Sequence, residues 1–149
     1  MAAAPVRIRP ATAGDADALA GLAEGLAQSF TFSRAGFDAH YPALLAAGHS
    51  CLLVAVTGAG GDCVGYLLGF EHLTFYANGR VAWVEEVFVR DGLRGQGIGR
   101  ALMTAFERWA RERGCALVAL ATRRAAPFYH ALGYEDSAIY LRKLLPERA

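Results

Sequence analysis

The segment from residue 80 to residue 113 constrains this chain more than any other, because it joins a strand to a helix through alternating glycines. The apolar run Val84-Glu85-Glu86-Val87-Phe88-Val89 leads through Arg90-Asp91-Gly92-Leu93 into Arg94-Gly95-Gln96-Gly97-Ile98-Gly99. Beyond it, Ile98, Leu102, Phe106 and Trp109 recur at three- and four-residue steps, the spacing of an amphipathic helix, and Gly114 is placed to end it. The first N–H groups of such a helix have no intrahelical partners, and its dipole favours negative charge at that end. Glycine lets phosphate oxygens reach those amides and permits turns with positive φ. The segment therefore predicts an anion cradle for a pyrophosphate, with Arg94 and Arg100 at its flanks.

Spacing decides which nucleotide such a loop suits. The pattern G-x-G-x-x-G fails, since Gly95 and Gly97 are followed by Arg100, and Gly97 and Gly99 by Leu102. The Walker pattern fails too: after Gly92 and Gly97, Ile98 and Gly99 stand where Lys and Ser or Thr are needed. What remains is R/Q-x-x-G-x-G/A, carried by Arg94, Gly97 and Gly99.

The rest of the chain supplies a setting for this unit. With 149 residues and a hydrophobic fraction of 54%, it suits one compact domain over 1–149 without disulfides or metal. Fifteen basic and fourteen acidic residues leave a net charge of +1, so nothing in the balance points to nucleic acid, and no apolar run reaches membrane-span length. Cys51, Cys63 and Cys115 show no ligand or redox spacing, and His40, His49, His72 and His130 share no motif. The opening Met1-Ala2-Ala3-Ala4-Pro5 has no apolar core of signal-peptide length, which makes cytoplasm the expected location.

Patterning predicts a strand at 6–9, helices at 14–27 and 36–47, and a hairpin of Cys51–Val56 with Cys63–Phe70 across the turn cluster 58–62. The strand at 80–89 and helix at 98–113 follow. The run 116–122, apolar on both alternations, predicts a central strand covered on both faces. A short helix at 125–132 and one or two strands within 137–145 complete a mixed α/β sheet layered with helices. Phe30 and Phe32, in the connection between the first two helices, either pack on the domain or wall a binding site with Phe37 and Tyr41.

At this point the sequence resembles the GNAT superfamily of N-acetyltransferases, whose pyrophosphate loop has the R/Q-x-x-G-x-G/A pattern. Trp83-Val84-Glu85-Glu86-Val87-Phe88-Val89 is similar to that family's acidic-aliphatic fourth strand, and Ala125-Ala126-Pro127-Phe128-Tyr129-His130-Ala131-Leu132-Gly133-Tyr134 to its late A-x-x-F-Y-x-x-x-G-[FY] segment. The resemblance implies a mixed, mostly antiparallel sheet flanked by helices, with acetyl-CoA as cosubstrate. It would lie on Val87, Phe88 and Val89 and on Arg94, Gly95, Gln96, Gly97, Ile98, Gly99 and Arg100. By resemblance to the spermidine/spermine N-acetyltransferase type, Glu85 matches an acidic residue near the acceptor amine and Tyr129 the proposed general acid. A homodimer is compatible with the family. Thr122 stands where many members carry Asn, so that contact does not carry over, and Arg123 and Arg124 either reach a cofactor phosphate or are solvated.

Acetyl transfer to an alkylamine requires a neutral nucleophile, although its unperturbed pKa is about 10.4. A carboxylate base near the cofactor strand answers that need. Strand alternation sends Glu85 and Glu86 to opposite faces unless a bulge intervenes. Glu85 is the expected base, on a face shared with Val87 and Val89, and Glu86 the alternative. Tyr129 would protonate the departing thiolate. The acceptor, a small-molecule or peptide amine, has no readable code. An acyl-CoA-binding regulatory module without turnover is the competing reading.

Overall fold

The computed structural model describes residues 5–147 apart from Gln28 and Ala59. Met1–Ala4, read above for targeting, lie outside the described residues, as does Ala59 of the hairpin turn. Five strands form one sheet in the order β1 (Val6–Pro10), β2 (Ser50–Thr57), β3 (Asp62–Thr74), β4 (Gly79–Val89) and β5 (Val118–Leu120). The first four pair antiparallel; β5 lies parallel to β4, reached by a crossover through α3 (Ile98–Glu112). The expected mixed, mostly antiparallel sheet flanked by helices is the one observed.

Period-two alternation divides the apolar residues between two cores. On one face Leu53, Ala55, Leu67, Ala82 and Val84 meet Ile98, Leu102, Met103 and Phe106 from α3. On the other, Val54, Val56, Tyr66 and Leu68 meet Leu19 and Leu22 of α1 (Ala16–Leu26) and Tyr41 of α2 (Arg34–Ala46). Gly69 sets how closely α3 approaches, since a Cβ there would stand 2.3 Å from the Phe106 ring. Phe106 is fully buried, so truncating it to Ala would cost about 3–5 kcal/mol.

The entry to α1 is fixed by charge. Asp15 closes a single 3-10 turn, Ala13–Asp15, and its carboxylate accepts the Thr12 N–H at 2.7 Å and two guanidinium N–H groups of Arg9 at 2.8 and 2.9 Å. The Arg9 bonds hold its carboxyl at about 2 against the opposing effect of burial. Helix α2 begins at Ser33, whose Oγ accepts the Gly36 N–H at 3.0 Å.

Two expectations are corrected. β5 is a three-residue, half-buried edge strand: Val118 and Leu120 pack against the core shared with α3, while Leu120, Ala121 and Thr122 border an open cavity. The tail over 137–145 forms no strand: Ile139 and Leu141 alternate as a strand would, yet both are more than four-fifths exposed and no ladder engages their backbone. Alternation prepares a face, but a strand also needs a neighbour. What holds this tail is a stacked contact between Tyr140 and Trp83, with ring centroids 6.3 Å apart. Among the described residues, no helix is long and apolar enough to cross a membrane.

Candidate active site

The glycine loop has the conformation its composition requires. Gly95 and Gly97 have φ of 81° and 84°, where side-chain-bearing residues are strained, and Gly97 is the N-cap of α3. A Cβ at either would meet nothing within 4 Å, so the requirement is conformational and not steric. The first helical bond is the Ala101 N–H to the Gly97 carbonyl at 3.0 Å, which leaves the amides of Ile98, Gly99 and Arg100 without intrahelical acceptors. Gly99 serves packing instead: a Cβ there would stand 3.2 Å from Phe128 of α4 (Ala126–Ala131).

Arg94 folds back onto the strand end. Its Nε donates to the Val89 carbonyl at 3.2 Å, its guanidinium pairs with Asp91 at 3.1 Å and sits 5.4 Å from the Phe88 ring centroid. It shapes the loop while keeping positive charge beside it. A cavity of about 370 Å³ opens here; Val87, Phe88, Val89, Arg94, Gly95, Ile98 and Gly99 line it, whereas Gln96, Gly97 and Arg100 are exposed and do not.

This cavity follows from how the sheet ends. The last β4–β5 pair is Val84 with Leu120, but β4 continues to Val89. Residues 85–89 therefore present backbone groups with no strand partner on the β5 side. A second cavity of about 820 Å³ lies between this stretch and helices α1 and α2. The two cavities share Leu26, Val87, Ala125 and Tyr129 in their walls, so they adjoin at Tyr129.

Both glutamates line the larger cavity, and a bulge is the reason. Leu68 pairs with Glu86 while Gly69 pairs with Val84, so Glu85 is an extra residue in β4. The shift changes the parity of the strand: Ala82 and Val84 before it, and Val87 and Val89 after it, all pack with the α3 core. The expectation that Glu85 shares a face with Val87 and Val89 fails for this reason, and Glu85 stands with Glu86 instead.

Each carboxylate has a donor. The Tyr66 hydroxyl donates to Glu86 Oε1 at 2.7 Å, and the Trp83 indole N–H donates to Glu85 Oε2 at 2.8 Å. Tyr66 is 3% exposed, and burial, reinforced by the Glu86 charge, holds its phenol far above the ordinary range. Glu86 is half-buried and Glu85 exposed. Tyr129 is half-buried, with its ring edge-on to Phe128 at 4.9 Å and to Tyr134 at 5.9 Å. Burial raises its phenol, so it keeps its proton through neutral pH.

The lining of the larger cavity also contains Phe30, Phe32, Phe37 and Tyr41, as the aromatic connection suggested, together with Arg123, Arg124 and Arg142. Tyr66, His40 and Arg142 were missed in the sequence. Tyr66 and His40 lie in apolar or helical stretches with no motif, and Arg142 lies in a tail read as a strand; only the β3–β4 register brings Tyr66 to Glu86.

An unfinished sheet edge, a glycine cradle at one end and an acid-lined cavity at the other define an acyl-transfer cleft of the acetyltransferase type. The acetyltransferase (GNAT) family model matches residues 20–134, and the chain belongs to that family. It is 30% identical to an aminoglycoside N(6')-acetyltransferase type 1 of Stenotrophomonas maltophilia, over 100% of this chain and 99% of that protein. It is 33% identical to a thialysine N-epsilon-acetyltransferase of Bos taurus over 59% of this chain, and this match spans 56% of the bovine protein's length. A crystal structure of a Trypanosoma brucei acetyltransferase superposes with a TM-score of 0.81 at 24% identity, covering 95% of this chain and 100% of that one, which establishes the shared fold.

Proposed function

We propose that this acetyltransferase moves an acetyl group from acetyl-CoA to a primary amine of a small molecule by direct attack. The observation that carries the proposal is the junction of the two cavities at Tyr129, beside the stretch 85–89 of β4 that has no strand partner on its β5 side. The residues fit such a cosubstrate: free amides at 98–100 suit a pyrophosphate, and a strand edge with apolar side chains suits a pantetheine amide chain. The relatives named for aminoglycoside and thialysine acetylation both act on amines of small molecules, which supports the same acceptor class here.

The roles of the side chains follow from their surroundings. Glu85, exposed and with Oε1 free of partners among the described residues, takes the ammonium proton and passes it to solvent. Glu86, fixed by Tyr66, draws the positive charge of the incoming amine to the bulge. The nitrogen lone pair forms the C–N bond as the thioester C–S bond breaks, and the electron pair leaves on sulfur. Tyr129 gives that sulfur a proton and is restored by the second proton shed from nitrogen, so one proton is released per transfer.

Thiol release from acetyl-CoA on adding an amine panel is the test. Release that depends on the amine supports transfer; tight acetyl-CoA binding with no release across the panel would assign the chain to acyl-CoA binding without turnover.

A further inference from the structure

The larger cavity carries charge of both signs, and this bears on what enters it. Glu85 and Glu86 are in its lining, with Trp83 and Tyr66 as their partners. Arg123, Arg124 and Arg142 line the same cavity, and among the described residues none of them forms an ion pair with any carboxylate. All three are absent from the lining of the cavity at the glycine loop, so the pyrophosphate cradle is not where they converge. Two contacts bear on where their backbone lies. Thr122 Oγ accepts the Ala125 N–H at 3.0 Å and so closes the turn that carries Arg123 and Arg124. Tyr140, two residues before Arg142, stacks on Trp83.

Arg123, Arg124 and Arg142 are exposed at this cavity and outnumber its two glutamates, and each guanidinium is a planar fork that matches a carboxylate or phosphate. An acceptor bearing only ammonium groups would satisfy Glu85 and Glu86 but leave the three arginines at the same cavity without a partner. Resting on the acetyltransferase reading, we infer that the acceptor carries an anionic group as well as its amine. The ammonium is drawn to Glu85 and Glu86, and a carboxylate or phosphate is held by Arg123, Arg124 and Arg142. The chemical class is a zwitterionic amine, which a polycationic amine does not match.

Matched amines that differ only in the anion provide the test: L-lysine against cadaverine, which lacks its carboxylate, and O-phosphoethanolamine against ethanolamine. The anionic member of at least one pair should be acetylated with a kcat/KM roughly tenfold or more above its partner, through KM, as expected for a charge-assisted guanidinium contact at a partly exposed site. Which pair shows the larger ratio separates carboxylate from phosphate. In an Arg123→Gln/Arg124→Gln variant that ratio should collapse while the KM for acetyl-CoA stays put; Arg142→Gln should lower it partway. Calorimetry of the same amines on CoA-loaded protein reads the preference without turnover. Equal or better use of the anion-free member in both pairs, or equal binding where neither pair turns over, overturns the inference. So does a variant that raises the acetyl-CoA KM and leaves the ratio unchanged, which would give the arginines to the cofactor. Failure to bind acetyl-CoA at all would instead sink the acetyltransferase reading beneath it.

Discussion

Replacing Gly97 by alanine separates the conformational demand of the cradle from its stability cost. Gly97 has φ of 84°, and an added Cβ finds nothing within 4 Å, so the substitution introduces strain and no clash. Gly114, beyond the far end of α3, has φ of 77° and equally open space, which makes Gly114→Ala a matched control. The left-handed conformation costs a side-chain-bearing residue roughly 1–2 kcal/mol. For a chain of this size, that lowers the melting temperature by about 2–8 °C in either variant. The variants should differ in cofactor affinity. If the backbone of the Gly97→Ala variant relieves its strain by rotating toward negative φ, the amides that follow turn away from the anion. Each lost hydrogen bond to a charged group is then worth about 1.5–3 kcal/mol, or roughly 10- to 150-fold in Kd. Calorimetric titration with CoA, paired with thermal melts, reads both effects. Wild-type affinity in a Gly97→Ala variant that keeps its melting temperature, and so has rotated out of the strained conformation, would refute the amide cradle, and an equal loss in Gly114→Ala would show the effect to be one of global stability.

Glu85→Gln should slow transfer most near neutral pH and recover as pH rises toward the acceptor amine's own pKa; an unchanged pH–rate profile would move the base to Glu86 or solvent. Tyr129→Phe should lower turnover roughly 10²- to 10⁴-fold in a chemistry-limited assay with acetyl-CoA affinity little changed, since the ring and its edge-on contacts remain. Because burial raises the Tyr129 phenol, wild-type activity that depends on this proton should persist to high pH and fall only above the ordinary tyrosine range. Asp15, whose folded carboxyl sits at about 2 against 3.8 ordinarily, contributes stability that is fully present above pH 3.8 and lost as pH falls toward 2. Asp15→Asn should therefore cost about 1–2 kcal/mol at neutral pH, after allowance for partial screening of Arg9, and flatten acid unfolding in that window.

The glycine loop and its helix were legible because local chain chemistry determines them: alternating glycines and an amphipathic helix state their geometry within a short stretch of chain. Helix α3 runs Ile98–Glu112 against an expected 98–113. The bulge at Glu85 was not legible, since it is defined by which residue of β3 lies opposite, and Leu68 and Gly69 give no local sign of it. The tail failed for a related reason, its alternation being local and its missing neighbour not. Arg142 lines the larger cavity from a tail that packs on Trp83, a contact between residues far apart in the chain that no periodicity reveals.

The early parting of β4 and β5 divides the molecule's vulnerability to substitution. Along residues 85–89 the proposed handholds for the cosubstrate are main-chain groups, which every non-proline residue supplies alike. Changes of side chain there alter the lining without removing the handholds. The lining of the larger cavity also takes side chains from segments outside the sheet, among them Phe32, Arg123 and Arg142. One end of the cleft is thus buffered against drift while the other is free to acquire a new clientele.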